Sequence, residues 1–309
     1  MGKIVVAGGA GFIGSHLCGY LLGKGEKVVC IDSLVTGNRA NIAGLLGGKN
    51  FSFINKDVSG KFTVKGDVRQ VYNLASPASP VDYQEKPLET LAAGSDGVKN
   101  LLELAEEKNA AYLFASTSEV YGNPTEHPQK ETYWGNVNPV GPRSCYDEAK
   151  RFGEALCVAF SKVRGVDVKI ARIFNTYGPM MRKNDGRVVP NFIEQALGNE
   201  PLTVYGKGGQ TRSFCYVSDM VNGICALMNS RERGPINLGN PVETSISGLA
   251  EKIIRLSKSR SKIVYQELPI DDPERRLPDI SLAKSRLSWA PKVSLDEGLN
   301  LTISYFQKL

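Results

Sequence analysis

The chain has 309 residues, of which 41% are hydrophobic and 23% charged, a composition typical of a globular protein with one or two folded lobes. Its net charge of +6 fits a mildly basic surface or an anionic small substrate, and the lack of a dense Lys/Arg block argues against nucleic acid. Six scattered cysteines without a CxxC pair, and only two histidines, argue against a disulfide framework, a metal site and a histidine-based triad.

The same features predict a cytoplasmic protein. Scattered free thiols are typical of a reducing compartment. No apolar run is long enough to span a bilayer, and Met1 leads straight into a predicted strand. We therefore expect neither a membrane anchor nor a signal peptide.

The first elements of the chain predict a dinucleotide-binding unit. Residues 3–7 form a β-rich run typical of a buried parallel strand, and residues 15–22 have the leucine spacing of a helix. Between them stand Gly8, Gly11 and Gly14, spaced as GxxGxxG. Such a turn lets the backbone approach a pyrophosphate and directs a helix N-terminus towards it.

A carboxylate follows the second predicted strand, 27–31. Asp32 lies 18 residues after Gly14, where it could accept hydrogen bonds from the adenosine ribose and repel a 2′-phosphate. This position favours NAD over NADP, although the nearby Arg39 could meet a phosphate. Asp57 and Val58 follow the third strand, 51–54, where the adenine edge is expected.

Further strands are predicted at 70–74, 111–115 and 167–173, with one long amphipathic helix over 87–108. The loop ASPASP, 75–80, is expected beside the pyrophosphate. The strand 111–115 ends in Ser116 and Thr117. Because open α/β sheets bind ligands at the carboxyl ends of their strands, we expect these two residues in the site.

Tyr146 and Lys150 are four residues apart, so they share one face of a helix. The ammonium group favours the phenolate, which can lower the tyrosine pKa from its usual value near ~10 and make a base that works at neutral pH. Thr117 would hold the substrate oxygen, and Glu119 would supply a second proton-transfer group. The hypothesis is one base for an alcohol and one acid/base for a carbon.

After about residue 176 the alternation of strands and helices fades into loops, with helices predicted at 191–197, 217–228 and 246–256. We predict an α/β fold, a Rossmann-type doubly wound parallel sheet with a small C-terminal substrate-binding lobe. Residues 1–175 would form the NAD-binding domain with the catalytic residues, and 176–309 mainly the substrate lobe, with interleaved boundaries. The family resemblance described next implies that this lobe binds a nucleotide sugar.

The glycine turn, Thr117, Tyr146 and Lys150 together resemble the extended short-chain dehydrogenase/reductase family. Longer motifs resemble its UDP-glucuronate decarboxylases, also called UDP-xylose synthases, over essentially the whole chain. These motifs are LASPASP (74–80), TSEVYG (117–122), YWGNVNP (133–139), GPRSCYDEAK (141–150), QTRSFCYVSD (210–219) and DDPERRLPD (271–279).

The resemblance implies that a UDP-sugar with a C5 carboxylate is oxidised at C4 by NAD, loses CO2 as a β-keto acid and is reduced again to UDP-xylose. It implies catalytic roles for Thr117, Glu119, Tyr146, Lys150 and Arg212. Cofactor contacts are implied for Gly8, Gly11, Phe12, Ile13, Gly14, Asp32, Asn38, Asp57, Val58, Leu74, Tyr146 and Lys150. Substrate contacts are implied for Ser79, Tyr83, Ser118, Glu119, Asn175, Tyr205, Arg212 and Arg275. It implies no metal, and a homodimer through a four-helix bundle.

Three alternatives remain open at the level of the sequence. A UDP-sugar 4-epimerase would not need Glu119, and an oxidative decarboxylase would release UDP-4-keto-pentose and NADH. A nucleotide-sugar-binding protein without turnover is suggested by Gly94, which stands where relatives carry an asparagine behind the tyrosine and lysine. Ser118, in place of the aspartate of dehydratases, favours decarboxylation over dehydration.

Overall fold

The computed structural model describes residues 2–267 and 275–309. Within them the strands are β1 (Lys3–Ala7), β2 (Val28–Asp32), β3 (Phe51–Asn55), β4 (Val68–Asn73), β5 (Ala111–Thr117), β6 (Val168–Ile173), β7 (Thr176–Tyr177), β8 (Leu202–Tyr205), β9 (Thr211–Ser213), β10 (Cys215–Tyr216), β11 (Pro235–Leu238), β12 (Glu243–Ser245), β13 (Ile263–Gln266) and β14 (Arg275–Arg276).

The α-helices of the same residues are α1 (Phe12–Gly23), α2 (Pro80–Glu85), α3 (Pro87–Ala92), α4 (Val98–Glu107), α5 (Ser144–Arg164), α6 (Val188–Leu197), α7 (Val217–Met228), α8 (Ile246–Ser257), α9 (Ser281–Leu287) and α10 (Leu295–Phe306). Short 3-10 segments cover Arg39–Leu45 and Ser118–Tyr121. None of these helices is long and apolar enough to cross a membrane.

Seven strands pair in parallel in the order β11-β6-β5-β4-β1-β2-β3. The chain moves from β1 to β3 on one side and then continues with β4 on the other side of β1. The strand order therefore reverses between β1 and β4, which is where doubly wound sheets bind their ligands. The predicted Rossmann-type sheet is confirmed.

Helices cover both faces of this sheet, and its inner strands are rich in β-branched residues that alternate between the two faces. Ile4 and Val6 pack with Leu17 of α1 in one hydrophobic cluster, which also includes α7. Val5 packs with Leu101 of α4 in a second cluster, which also includes α5. The helices that flank the sheet thus hold the carboxyl ends of its strands in fixed positions.

The helix predicted over 87–108 is interrupted. A π-helical turn, Ala93–Gly97, joins α3 to α4, and an inserted residue of this kind widens one turn of a helix. Gly94 lies in the turn, and a Cβ atom built on it would stand 2.5 Å from the Cβ atom of Ala149 on α5. The turn and the missing side chain allow a close approach of the two helices.

The strands outside the main sheet form three small sheets, β7 with β10, β12-β9-β14, and β8 with β13. They come from the segment predicted as the substrate lobe. β11 comes from the same segment but lies at one edge of the main sheet. The domain boundary at residue 175 stays a prediction, and the position of β11 is an example of the interleaving expected there.

Candidate active site

The glycine turn connects β1 to α1 at the switch point of the sheet. Gly8 has a φ angle of 75°, in the left-handed region that favours glycine. A Cβ atom on Gly8 would lie 2.6 Å from the carbonyl carbon of Leu74, and one on Gly14 would clash with the backbone of Gly8. The turn is therefore a cradle open to a phosphate chain at the start of α1.

Asp32 ends β2 beside this turn. Its carboxylate accepts hydrogen bonds from the backbone N–H groups of Ala10, at 2.9 Å, and Leu34, at 2.8 Å. Burial raises the pKa of Asp32, and hydrogen bonds from Leu34, Ala10 and Gly11 oppose that rise. The carboxylate is thus fixed at the edge of the cradle where a ribose would lie.

A cavity of about 80 Å³ adjoins Asp32 and is also lined by Asp57 and Val58, and their contact with an adenosine stays a prediction. Arg39 is not among the residues that line it. Its guanidinium group lies 5.9 Å from the centre of the Phe53 ring. Arg39 is thus not part of the lining beside Asp32, which fits NAD better than NADP.

A second cavity of about 1260 Å³ continues from the glycine turn across the ends of β4 and β5 to the small lobe. Its lining includes most of the predicted site residues, namely Gly8, Gly11, Phe12, Ile13, Gly14, Asn38, Leu74, Ser79, Tyr83, Thr117, Ser118, Glu119, Tyr146, Lys150, Asn175, Tyr205 and Arg212. The fold therefore brings the predicted cofactor, catalytic and substrate residues to one continuous space.

Tyr146 and Lys150 lie on the same face of α5 and are both buried. The ammonium group of Lys150 is 5.6 Å from the centre of the Tyr146 ring and donates a hydrogen bond to the carbonyl oxygen of Ala115 at 2.9 Å. Burial lowers the pKa of Lys150 to about 8. Burial also raises the pKa of Tyr146, against the hydrogen bond with Thr117. Burial therefore opposes the lowering of the Tyr146 pKa that the spacing of Tyr146 and Lys150 predicts.

Thr117 is the last residue of β5, and its hydroxyl caps the 3-10 segment that carries Glu119. The Glu119 backbone N–H donates to the Thr117 Oγ1 atom at 3.2 Å. The Thr117 side chain also lowers the pKa of Tyr146, against the effect of burial. One strand end thus places the predicted hydroxyl and the predicted carboxylate next to the tyrosine.

Glu119 is held between two arginines. Arg143 Nη2 donates to Glu119 Oε2 at 2.6 Å, and Arg276 Nη1 donates to Glu119 Oε1. Burial by itself would raise the pKa of Glu119, but the charges of Arg276 and Arg143 lower it to about 2. Glu119 is therefore ionised at neutral pH in this arrangement.

The prediction that Arg275 contacts the substrate is not supported by its placement. Arg275 is exposed and does not line the cavity, whereas Arg276 is 2% exposed and does. The two residues form β14, and successive side chains of a strand point to opposite faces. The sequence-based prediction therefore fell on the exposed arginine, whereas its buried neighbour in the strand is the one that lines the cavity.

The remaining substrate candidates line the same cavity as Tyr146. Tyr83 stacks on the Tyr146 ring with 5.0 Å between centroids and 9° between planes. Ser79 caps α2 and donates its hydroxyl hydrogen to Asp82 at 2.8 Å. Arg212 is 8% exposed, and its Nη1 atom donates to the Thr211 carbonyl oxygen at 2.9 Å.

Asn175 and Ser118 line the same cavity, and Tyr205 does so with 44% of its surface exposed. Sequence reasoning missed Arg187, which also lines it and lies 5.8 Å from the Phe12 ring centre. Within residues 2–267 and 275–309, no three His, Cys, Asp or Glu side chains cluster as metal ligands.

Residues 4–239 match the family described as the NAD dependent epimerase/dehydratase family. The chain belongs to this family. Its members use NAD, and the cradle of Gly8 and Gly14 beside Asp32 fits that cofactor in this chain.

Sequence relatives carry a more specific name. UDP-glucuronic acid decarboxylase 1 of Xenopus tropicalis is 53% identical over 306 residues, which cover 99% of this chain and 72% of that protein. UDP-glucuronic acid decarboxylase 1 of Arabidopsis thaliana is 50% identical over 305 residues, covering 99% and 70%.

Solved structures of similar fold include epimerases. The UDP-glucuronic acid 4-epimerase from Bacillus cereus, in complex with UDP-glucuronic acid and NAD, has a TM-score of 0.87 at 28% identity and covers 99% of each chain. The UDP-glucose 4-epimerase from Thermotoga maritima, with UDP-glucose, has a TM-score of 0.89 at 28% identity, with 99% of each chain covered.

Proposed function

We propose that this member of the NAD dependent epimerase/dehydratase family decarboxylates UDP-glucuronate to UDP-xylose. The observation that carries the proposal is the ion-paired group of Glu119, Arg143 and Arg276, which lies beside Thr117 and Tyr146. The names of the relatives that are about half identical over 99% of the chain support the same reaction.

The residues of the chain have separate tasks in this reaction. NAD bound at the glycine turn would act as the reversible oxidant of C4 of the sugar. Tyr146 takes the proton of the C4 hydroxyl and later returns it, while Thr117 holds that oxygen. Lys150, whose pKa is lowered to about 8 by burial, holds the positive charge that favours the phenolate of Tyr146.

Loss of CO2 follows from the position of the ketone. With C4 oxidised, the C5 carboxylate is β to a carbonyl group, so the C5–CO2 bond breaks and leaves an enolate. Arg276 is a buried cation that lines the cavity, and its guanidinium can hold an oxyanion in a fixed geometry. Glu119 is ionised at neutral pH here, so it would accept a hydrogen bond from a solvent water that protonates C5. Return of the hydride to C4 and of the proton from Tyr146 to the C4 oxygen would then complete UDP-xylose without net NADH.

Arg212 and Asn175 are proposed to hold the diphosphate and carboxylate oxygens, and Tyr205 to lie near the uracil. All three line the cavity. Arg212 and Arg276 are paired in register in neighbouring strands, so their guanidinium groups belong to one side of the small β12-β9-β14 sheet. A doubly charged diphosphate and a carboxylate match this concentration of positive charge.

A 4-epimerase is the second candidate, because the similar structure from Bacillus cereus holds UDP-glucuronic acid and NAD. The two functions share the C4 oxidation and differ in what happens at C5. An epimerase needs no charge pair beside C5, whereas this chain buries one between Glu119 and Arg276. The buried pair favours decarboxylation.

The test is proton NMR of UDP-glucuronate with the purified protein and a trace of NAD, with Tyr146→Phe as the control. We expect UDP-xylose without net NADH from the wild type and no product from the variant. UDP-galacturonate would show a 4-epimerase. In a parallel reaction with NAD equimolar to the substrate, UDP-4-keto-pentose with equal NADH would show an oxidative decarboxylase. A spectrum unchanged in both reactions would contradict all three activities on UDP-glucuronate.

We also propose a homodimer in the cytoplasm. Leu88 and Leu91 on α3 are 76% and 40% exposed, and Phe152 and Val158 on α5 are 51% and 55% exposed. Because α3 packs against α5, these side chains belong to one helical surface, which a second copy could cover to make a four-helix bundle. The free cysteines of the described residues fit a reducing compartment.

A further inference from the structure

Arg276 reaches Glu119 from a short segment that is tied to Gln129. The Leu277 N–H donates to Gln129 Oε1, and the Gln129 N–H donates to the Leu277 carbonyl oxygen, both at 2.9 Å. The Asp279 N–H donates to the Gln129 carbonyl oxygen at 2.9 Å. Gln129 has no exposed surface. The segment that carries Arg276 is thus held by three hydrogen bonds to one buried residue.

Asn237 on β11 links Gln129 to the segment that carries Arg276, and it is also fully buried. Its Nδ2 group donates to the carbonyl oxygens of Gln129, at 3.0 Å, and Asp279, at 3.1 Å. Its Oδ1 atom accepts from the Tyr121 hydroxyl at 2.8 Å, and its backbone N–H donates to Glu131 Oε1 at 2.8 Å. Both donors and the acceptor of the amide are used, as a buried amide requires.

The same network continues to the catalytic helix. Arg172 Nη1 donates to the Tyr121 hydroxyl at 2.9 Å. The Nε and Nη2 atoms of Arg172 donate to the two carboxylate oxygens of Glu154 at 2.9 Å and 2.7 Å. Glu154 lies one turn after Lys150 on α5, and its Oε1 atom accepts from the Ser116 hydroxyl at 2.6 Å.

We propose that Asn237 is a positioning residue that fixes Arg276 against Glu119 at a set distance from the Thr117–Tyr146–Lys150 group. The inference rests on the proposed function only in naming loss of CO2 as the step affected. Asn237 touches the segment that carries Arg276 directly, but it touches none of Thr117, Tyr146 and Lys150. Its loss should therefore slow decarboxylation more than C4 oxidation.

The test compares wild type with Asn237→Ala and with Tyr121→Phe, which removes a single hydroxyl and keeps the ring. The control is Thr302→Val, because Thr302 is also fully buried and its hydroxyl donates to the Gly298 carbonyl oxygen in α10. The first measurement is amide hydrogen exchange, by mass spectrometry, of a peptide that spans residues 275–283. It needs no substrate, so it is independent of the proposed function.

We expect exchange in this peptide to rise about tenfold or more in Asn237→Ala, to rise less in Tyr121→Phe and to stay at the wild-type level in Thr302→Val. An exchange rate unchanged in Asn237→Ala would overturn the proposal. So would an equal rise in Thr302→Val, since the effect would then be a general loss of stability.

The second measurement is turnover of UDP-glucuronate together with the steady-state amount of reduced nicotinamide on the protein. In Asn237→Ala we expect kcat to fall about tenfold or more while reduced nicotinamide increases, because oxidation continues and decarboxylation is delayed. A fall in kcat without that increase overturns the positioning role, as does unchanged turnover despite faster exchange. If wild type itself forms no UDP-xylose, the proposed function fails, and the exchange experiment still decides whether Asn237 holds the Arg276 segment.

Discussion

Gly94 and Ala149 face each other at the crossing of two helices with no room for a further side chain. A Cβ atom on Gly94 would lie 2.5 Å from the Cβ atom of Ala149 and 3.1 Å from its carbonyl oxygen. Ala149 immediately precedes Lys150, and both lie on α5 with Tyr146. The π-helical turn at Gly94 therefore packs directly against α5, the helix that carries the tyrosine and the lysine. An asparagine at position 94 would not fit without movement of the backbone.

This contact predicts that Gly94→Ala displaces α5 and weakens both folding and turnover. Overpacking of a tight contact costs about 1–3 kcal/mol, so we expect a lower free energy of unfolding in urea and a lower kcat. Gly19→Ala in α1 is the matched control, because nothing lies within 4 Å of a Cβ atom there. The control should be neutral or slightly more stable. Equal behaviour of the two variants would show that the helix crossing tolerates a side chain.

The alternation of β14 predicts that its two arginines differ sharply. Arg276→Ala removes the buried cation that pairs with Glu119, and we expect kcat to fall about 100-fold or more, as for loss of a fixed donor in an active site. Arg275→Ala removes an exposed side chain and serves as the control, with activity close to wild type. Steady-state kinetics with UDP-glucuronate measure both. A larger loss in Arg275→Ala would restore the original sequence-based assignment.

Much of the site could be predicted because parallel strands end at a common edge. The glycine turn, Asp32 and Thr117 each follow a recognisable strand, so their proximity follows from the sheet. Tyr146 and Lys150 share a helix face by spacing alone. Arg143 precedes α5 in a long loop without a periodic pattern, and nothing in the sequence indicates that it faces Glu119 rather than solvent.

Two other features of the site could not be predicted from the sequence. The face of Arg276 depends on the register of a two-residue strand, and that register is set by pairing with β9. The π-helical turn at Gly94 adds one residue to a helix, and the insertion depends on the contact with α5, so the sequence of 87–108 predicts a regular helix. Both are consequences of tertiary packing.

The ion pairs of Glu119 predict a specific acid sensitivity. Burial alone would raise the pKa of Glu119, but Arg276 and Arg143 lower it to about 2, below the value of about 4.3 for a free glutamate. The ionised side chain therefore stabilises the fold above pH ~4.3, and this contribution is lost as the pH falls towards ~2. In Glu119→Gln the free energy of unfolding should decline less steeply over this interval.

Urea unfolding at several pH values between about 2.5 and 7 measures this difference. Glu251→Gln, at an exposed position on α8, is the control and should keep the wild-type slope. If Glu119→Gln retained the full acid sensitivity, the carboxylate would not be held by the two arginines in solution.

The exposed apolar surface of α3 and α5 predicts that a charge introduced there separates the dimer. Phe152 and Val158 lie on either side of Ala155 on one face of α5, so a glutamate at Phe152 would place a charge within the proposed contact. A buried unpaired charge costs several kcal/mol, which opposes association through this surface. Light scattering should show a dimer for wild type and a monomer for Phe152→Glu.

Val242→Glu, at a 64% exposed position away from these helices, should remain a dimer. A monomeric wild type at micromolar concentration would refute the four-helix bundle, and a dimeric Phe152→Glu would place the contact on another surface.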